Sequence, residues 1–280
     1  MKSYTRTRIA GKTARTLAIA LICALCLIPF YILLVLALNS PQRVFYEGNM
    51  FVPDFCFQNF IDGWNKSHIG RAIINSAVIT GGALILILLL ASAAAYAIAR
   101  FHTRFNRFVF WTLISCMMIP GIINTVPLYT LMIRINAIDT LWGMCLVCAT
   151  LALPSSVFIF TGFIQALPRE VEEAAIIDGC SEFGAYRRVT LPLLKPCVAA
   201  VVILNGFGIW NNYAQAVFFL QDSRKHNIPQ ALSVYFQQFA GAHWNLMAAT
   251  AVIAIIPVIV VFLIFQRQLM KGLTDGALKG

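Results

Sequence analysis

Charge is scarce in this chain of 280 residues. Only 11% are Asp, Glu, Lys or Arg, whereas a soluble domain carries roughly a quarter. Six runs contain none of the four: 16–42, 72–99, 108–133, 140–168, 196–221 and 227–266. An ion-coupled carrier keeps an acid or base at membrane depth, and these runs offer none. A membrane enzyme gathers His, Asp or Glu at the bilayer edge. The four histidines, His68, His102, His226 and His243, are scattered and read as solvated surface residues. No GxxxxGK[ST] phosphate loop occurs, so no nucleotide site is built into the chain. Cys23/Cys26 and Cys145/Cys148 have CxxC spacing but lie inside apolar runs without a nearby His or second pair. They read as small, buried apolar residues rather than as a metal or redox site. No metal and no cofactor is implied. Cys56 alone falls in a segment assigned to the external side, so no external disulfide is implied either.

What the chain has instead is hydrophobicity, at 60% of residues. Each charge-free run exceeds the roughly 20 residues that cross a hydrocarbon core as a helix. The first half of the last run is polar, with Asn227, Gln230, Gln237, Gln238, His243 and Asn245, and reads as an external amphipathic or loop segment. A sixth span then begins beside Trp244, a residue suited to the interface. The expectation is an all-α polytopic membrane protein, one transmembrane domain over 1–280. Its six transmembrane helices fall at about 16–38, 72–99, 108–132, 140–164, 196–220 and 245–266. The apolar stretch 17–38 is longer than a signal-peptide core, so the first run reads as an uncleaved anchor. Pro29, Pro120, Pro127, Pro154 and Pro257 fall inside the runs as hinges or as kinks without a mechanical role.

The net charge of +10 does not form a nucleic-acid footprint, which would need Lys and Arg clustered on one face. The basic residues lie in short clusters between the runs. Fifteen of the 21 fall on one side: Lys2, Arg6, Arg8, Lys12 and Arg15; Arg100, Arg104 and Arg107; Arg169, Arg187, Arg188 and Lys195; and Arg267, Lys271 and Lys279. Arg43, Lys66, Arg71, Arg134, Arg224 and Lys225 fall on the other. The excess marks the first side, with both termini, as cytoplasmic. The largest external segment is 41–70, with Pro41, Pro53, Asp54, Asp62, Gly63 and Trp64. It reads as a loop with a short surface helix, serving either as a connector or as a contact for an external partner.

The loop between the fourth and fifth spans, 168–192, carries the specific information. It reads as two short helices joined at a turn. Pro168 suits a first helical position, and Glu170, Glu172 and Glu173 favour the positive end of the helix dipole. Gly179 is placed to end the helix in a left-handed conformation. Ser181 can cap a second helix bearing Phe183, Tyr186 and Val189, which Pro192 would stop. The acidic start and the small residues Ala174, Ala175 and Gly179 favour docking by another protein over lying on a bilayer, where such helices have a basic face.

Glu173-Ala174-Ala175, then Gly179 four residues on, then Val189 and Leu191-Pro192, resembles the "EAA" loop of binding-protein-dependent ABC importer permeases. Cys180 stands where that family commonly has Ala, and Val189 where Ile is common. Three further features resemble its carbohydrate-uptake, maltose-transporter branch. They are Asp178-Gly179 followed by the long LP segment, Trp210-Asn211-Asn212 in the fifth span, and the tail Lys271-Gly-Leu-Thr-Asp-Gly-Ala-Leu-Lys-Gly280.

The resemblance implies an importer permease fold and the smaller, six-span subunit of a permease pair in a prokaryotic cell (inner) membrane. It implies no enzyme activity in this chain, because ATP hydrolysis resides in a separate cytoplasmic ATPase dimer. A second permease subunit and an extracellular or periplasmic solute-binding protein complete the set of partners, with a sugar as solute. The loop becomes a coupling helix whose ATPase contacts are Glu172, Glu173, Ala174, Ala175, Asp178 and Gly179. Candidate pathway residues are Asn124, Thr125 and Tyr129 in the third span, and Asn205, Trp210, Asn211, Asn212 and Tyr213 in the fifth. Amides and aromatic rings suit a sugar, but the same groups also join helices to one another. An amino acid, peptide or polyol phosphate remains an alternative solute, and an ATP-independent secondary transporter an alternative class.

Overall fold

The computed structural model of the chain describes residues 2–40, 51–237 and 243–277. Pro41, Arg43, Gln238 and the last three residues of the tail lie outside them. The described residues form helices and no strand. In chain order these are α1 (Lys2–Leu38), α2 (Gln58–Ser67), α3 (Ile69–Arg100), α4 (Arg104–Met117), α5 (Thr125–Arg134) and α6 (Leu141–Gln165). Then come α7 (Glu170–Ile177), α8 (Glu182–Leu193), α9 (Lys195–Trp210), α10 (Ala216–Phe219), α11 (Ile228–Gln237) and α12 (Trp244–Ala277).

Among the described residues four helical segments are long and apolar enough to cross a membrane, Arg15–Leu38, Ile69–Arg100, Leu141–Gln165 and Trp244–Ile264, and the bent pair Glu182–Leu193 and Lys195–Trp210 passes together as a fifth. The four fall on the first, second, fourth and sixth charge-free runs. The third and fifth runs fold differently. The third is divided between α4 and α5 by a non-helical stretch that includes Pro120 and Gly121. Pro127 sits in the first turn of α5, where its missing N–H costs nothing. The fifth run ends as α9 at Trp210, and Asn212 Oδ1 accepts the Gln215 N–H at 3.0 Å, an Asx-type bond that starts a new turn ahead of α10.

The chain divides into two compact units. One is drawn from Met1–Ile69 and Leu232–Ile256. Here Ala37, Ala248 and Ala249 form a small core with Leu33, Leu36, Phe60 and Val252. The C-terminal carbonyls of α1 are met by Asn59, whose Nδ2 donates to Ala37 O and Asn39 O at 2.9 Å. Asn245 Nδ2 donates in turn to Asn59 Oδ1 at 2.8 Å. Helix α2 buries Asn59, Gly63 and Ser67 and exposes Ile61 and Trp64. Exposed Gln58, Asn65 and Lys66 stand beside Ile61 and Trp64, a mixture that suits a helix at a membrane interface.

The other unit is drawn from Gly70–Ala231 and Pro257–Gly280. Its core centres on α3, where Ile79, Ala83, Ile87, Ala91, Ala95 and Ala99 recur at every fourth position and are fully or nearly buried. A row of small residues lets neighbouring backbones approach closely. The α5–α6 turn carries Asn136 and Asp139 in the left-handed region, which these two residue types tolerate. It packs so tightly that a Cβ on Gly143 would lie 2.0 Å from Ala137 O. Asn227 and Gln230 form a reciprocal cap at the start of α11, with Gln230 N to Asn227 Oδ1 at 3.1 Å and Asn227 N to Gln230 Oε1 at 3.3 Å. The polar half-run is therefore in part a helix, with buried Asn227 and Gln230. Cys145, Cys148 and Cys197 are buried as expected of small apolar residues, but Cys23, Cys26 and Cys116 are exposed. Cysteine is apolar enough to stand on a lipid-facing surface.

The α3 seam gives a direct test. Ala91→Phe should overpack it and cost about 1–3 kcal/mol, read as a lowered melting temperature in detergent. Leu89→Ala, at an exposed position of the same helix, should change stability by no more than about 0.5 kcal/mol. Equal melting of both variants would refute the packing assignment.

Candidate functional site

Helix α7 has Glu170, Glu172 and Glu173 in its first turn, with Pro168 just ahead of the helix rather than in it. It ends in a Schellman motif: Cys180 N donates to Ala175 O and Gly179 N to Ile176 O, both at 3.0 Å, with Gly179 at φ +91°. An L side chain at that φ is strained, which accounts for the glycine. Ser181 Oγ then accepts the Gly184 N–H at 3.1 Å and starts α8. Pro192 does not stop α8. The helix passes through a π-helical stretch, Tyr186–Thr190, and continues to Leu193. It then bends by 70° into α9.

The two faces of α7 differ. Glu173, Ala174, Ile177, Asp178 and Gly179 are exposed, and Ala175 is half-buried. Ile177 is 85% exposed and Phe183, beyond the turn, 70%. Glu172 points the other way. Its carboxylate receives Arg100 Nη2 at 2.7 Å and Arg100 Nε at 3.0 and 3.1 Å, and Thr190 Oγ1 donates to it at 2.9 Å. The two charged side chains are only 7% and 8% exposed. The sequence-based expectation that Glu172 contacts a partner is therefore corrected: its charge is committed within the chain. The reason is helical phase, since Glu172 and Glu173 are about 100° apart on the helix. Removing Arg100 alone would leave a buried charge unpaired, at a cost of about 3–5 kcal/mol. Around this pair, Tyr186 OH lies 2.8 Å from Ser92 Oγ, and the Tyr96 and Tyr186 rings pack at 45° to each other with centroids 5.0 Å apart.

The pathway candidates separate into two groups. Asn205 Nδ2 donates to Ser156 Oγ at 3.1 Å, and Asn212 Nδ2 reaches Cys148 Sγ at 3.8 Å, so both join helices. Thr125 Oγ1 donates to Gln215 Oε1 at 3.2 Å, tying the break before α5 to the break before α10. Tyr129 OH accepts from Gln221 Nε2 at 3.3 Å. Asn124 and Trp210 are half-buried, whereas Asn211 and Tyr213 are exposed at the α9–α10 break.

Sequence reasoning missed Arg100, Thr190, Tyr186 and Gln215. Arg100 entered it only as one more positive charge, although its position at the end of an uncharged run of 28 residues could have suggested an intramolecular partner. A second charged cluster was missed as well. Lys225 Nζ donates to Asp139 Oδ2 at 2.8 Å and to Asp139 O at 2.6 Å. The Gln221 and Asp222 N–H groups both reach Asp139 Oδ1 at 3.0 Å. Burial acts to raise the Asp139 pKa, but the Lys225 ammonium and the two N–H donors together hold it below the usual value. Arg224 beside Asp222 lowers that carboxyl to about 2. Burial pulls His226 downward. Among the described residues no cluster of three His, Cys, Asp or Glu could hold a metal ion.

Long apolar helices, two broken runs and a loop helix with an exposed acidic face define a polytopic membrane protein. The family model described as "Binding-protein-dependent transport system inner membrane component" matches residues 87–275, and the chain belongs to that family. A melibiose/raffinose/stachyose import permease protein, MelC of Bacillus subtilis (strain 168), is 36% identical over 95% of this chain and 96% of its own. The diacetylchitobiose uptake system permease protein NgcG of Streptomyces coelicolor is 30% identical over 80% and 74%. In fold, the chain is similar to the crystal structure of a bacterial ABC transporter involved in the import of the acidic polysaccharide alginate. The TM-score there is 0.79 at 20% identity, covering 93% of this chain and 96% of that one.

The Asp139 cluster makes a pH-dependent prediction. A depressed folded-state pKa contributes stability above the unfolded value, near 3.9, and that contribution is lost as pH falls through the folded value. Wild type should therefore melt above Asp139→Asn at neutral pH, with a gap that holds to about pH 5 and closes below about pH 4. A gap that is absent, or that closes near pH 6, would remove Asp139 from this role.

Proposed function

We propose that the chain is one of the two permease subunits of an ATP-driven sugar importer, and that α7 docks into a cytoplasmic ATPase partner. One observation carries the reading: α7 exposes Glu173, Ala174, Asp178 and Gly179 while its opposite face is fixed to the chain through Glu172. An acidic and small-residue surface on a rigid seat fits a groove with basic groups. Half-buried Ala175 gives that surface a shallow edge. Both termini and this loop lie on the cytoplasmic side, as the bias in Lys and Arg suggests. The third and fifth charge-free runs cross as broken helices, which brings the number of spans to six.

Sugar is the proposed solute because the 36% identical relative is named for melibiose, raffinose and stachyose import. Delivery by an external binding protein is proposed alongside it. A neighbour in fold was solved in complex with an alginate pentasaccharide-bound periplasmic protein. Non-helical backbone at membrane depth is tolerated where it lines a cavity. On that ground the breaks at 118–124 and 211–215 form the pathway wall, with Trp210, Asn211 and Tyr213 offering stacking and hydrogen bonds to sugar hydroxyls. Asn124 lies on the facing break and Tyr129 on α5 beyond it, while Asn205 and Asn212 act as helix joints. ATP binding to the partner moves α7, and the helices rock between inward-open and outward-open states.

The decisive experiment is an affinity pull-down of the tagged chain from native membranes in mild detergent, read by mass spectrometry. Recovery of an ATPase, a second permease and a solute-binding protein is expected; recovery of the chain alone would favour a self-sufficient carrier. Gly179→Asp and Glu173→Lys should each abolish uptake while membrane insertion remains normal, and normal transport by either variant would count against the docking role. Ala175→Cys should be shielded from a soluble thiol reagent only when the ATPase is bound. Equal labelling in both states would argue for a free loop.

A further inference from the structure

We infer that Arg100 is a positioning residue that joins the α7–α8 loop to the end of α3, so that a push on α7 is delivered to α3. The inference rests on the docking role proposed for α7. Both covalent routes out of the loop are jointed. The route to α6 runs through the non-helical residues 166–169, and the route to α9 passes the 70° bend after Leu193. Neither suits the transfer of a force without bending.

The non-covalent route is stiff. The Arg100 guanidinium is the last side chain of α3 and holds Glu172 of α7 through its planar fork. It also reaches Leu167 O in the α6–α7 link at 3.4 Å. Thr190 of α8 takes the same Glu172 oxygen from the other side, at the end of the π-helical stretch. One and two turns further into α3, Tyr96 packs on the Tyr186 ring and Ser92 meets the Tyr186 hydroxyl. Three successive levels of α3 are thereby held to the loop: Arg100, Tyr96 and Ser92. A bidentate Arg–carboxylate pair fixes orientation as well as distance, and its burial keeps water and salt from loosening it.

The test uses the full complex and the nucleotide alone. Hydrogen–deuterium exchange is followed in peptides covering 92–103 and 167–193, without nucleotide and with Mg-ATP and vanadate. In the wild type both regions should respond to nucleotide. In Arg100→Gln/Glu172→Gln, which leaves no unpaired buried charge and keeps a polar side chain at both positions, 167–193 should still respond while the response at 92–103 is lost. Arg100→Lys, with its charge but not its fork, should restore that response in part. An undiminished response at 92–103 in the double variant would overturn the inference and leave the pair as a stabilising contact only. So would a wild type in which 167–193 responds and 92–103 does not. If the wild-type pull-down yields no ATPase, or 167–193 itself ignores nucleotide, the docking role fails and the inference with it; the first two outcomes leave that role intact.

Discussion

Every backbone N–H and C=O of a chain in lipid must find its partner within the protein, because the surrounding hydrocarbon supplies none. The long helices meet this demand internally. The informative places are those where a helix ends. There, side-chain amides and hydroxyls take over: Asn59 meets the last carbonyls of α1, and Gln230 Nε2 reaches Ala216 O and Leu220 O at the end of α10. At the α9–α10 break, Asn212 serves the Gln215 N–H, and Gln215 in turn bonds Thr125. Asn59, Asn212, Gln215 and Gln230 are spent in this way.

The same demand explains what could be read in the sequence. The all-helical class, the long apolar helices and the turn at Gly179 were legible, because each depends on local composition or on a single backbone conformation. The transport family was legible from the loop 173–192. The division of 108–133 and 196–221 was not. Both runs are apolar throughout, and whether Pro120 or Asn212 kinks a helix or ends it depends on neighbours such as Gln215 that lie far away in sequence. The role of Glu172 was hidden for a similar reason. Composition separates it from neither Glu170 nor Glu173, and only the position of Arg100, 72 residues earlier, decides which glutamate turns inward.

The loop and the broken helices share one unit of the molecule, and each has two sides. On α7, the inward side carries the buried charge and the outward side is left bare. At the breaks, Asn212 and Gln215 face protein while Asn211 and Tyr213 remain exposed.

The alanine-rich seam of α3 has a consequence for register. Its alanines let neighbours approach closely, while the fully buried Ile79 and Ile87 between them key the middle of the helix into the core. Polar contacts add to this at the two extremities. At one, Asn75 Nδ2 donates to Arg224 O and His226 O, and Ser76 Oγ accepts the Ile228 N–H. At the other stands Arg100. Helix α3 is thus held by apolar packing along its length and by polar contacts at both ends, so that loss of one end contact leaves the other and the packed middle in place.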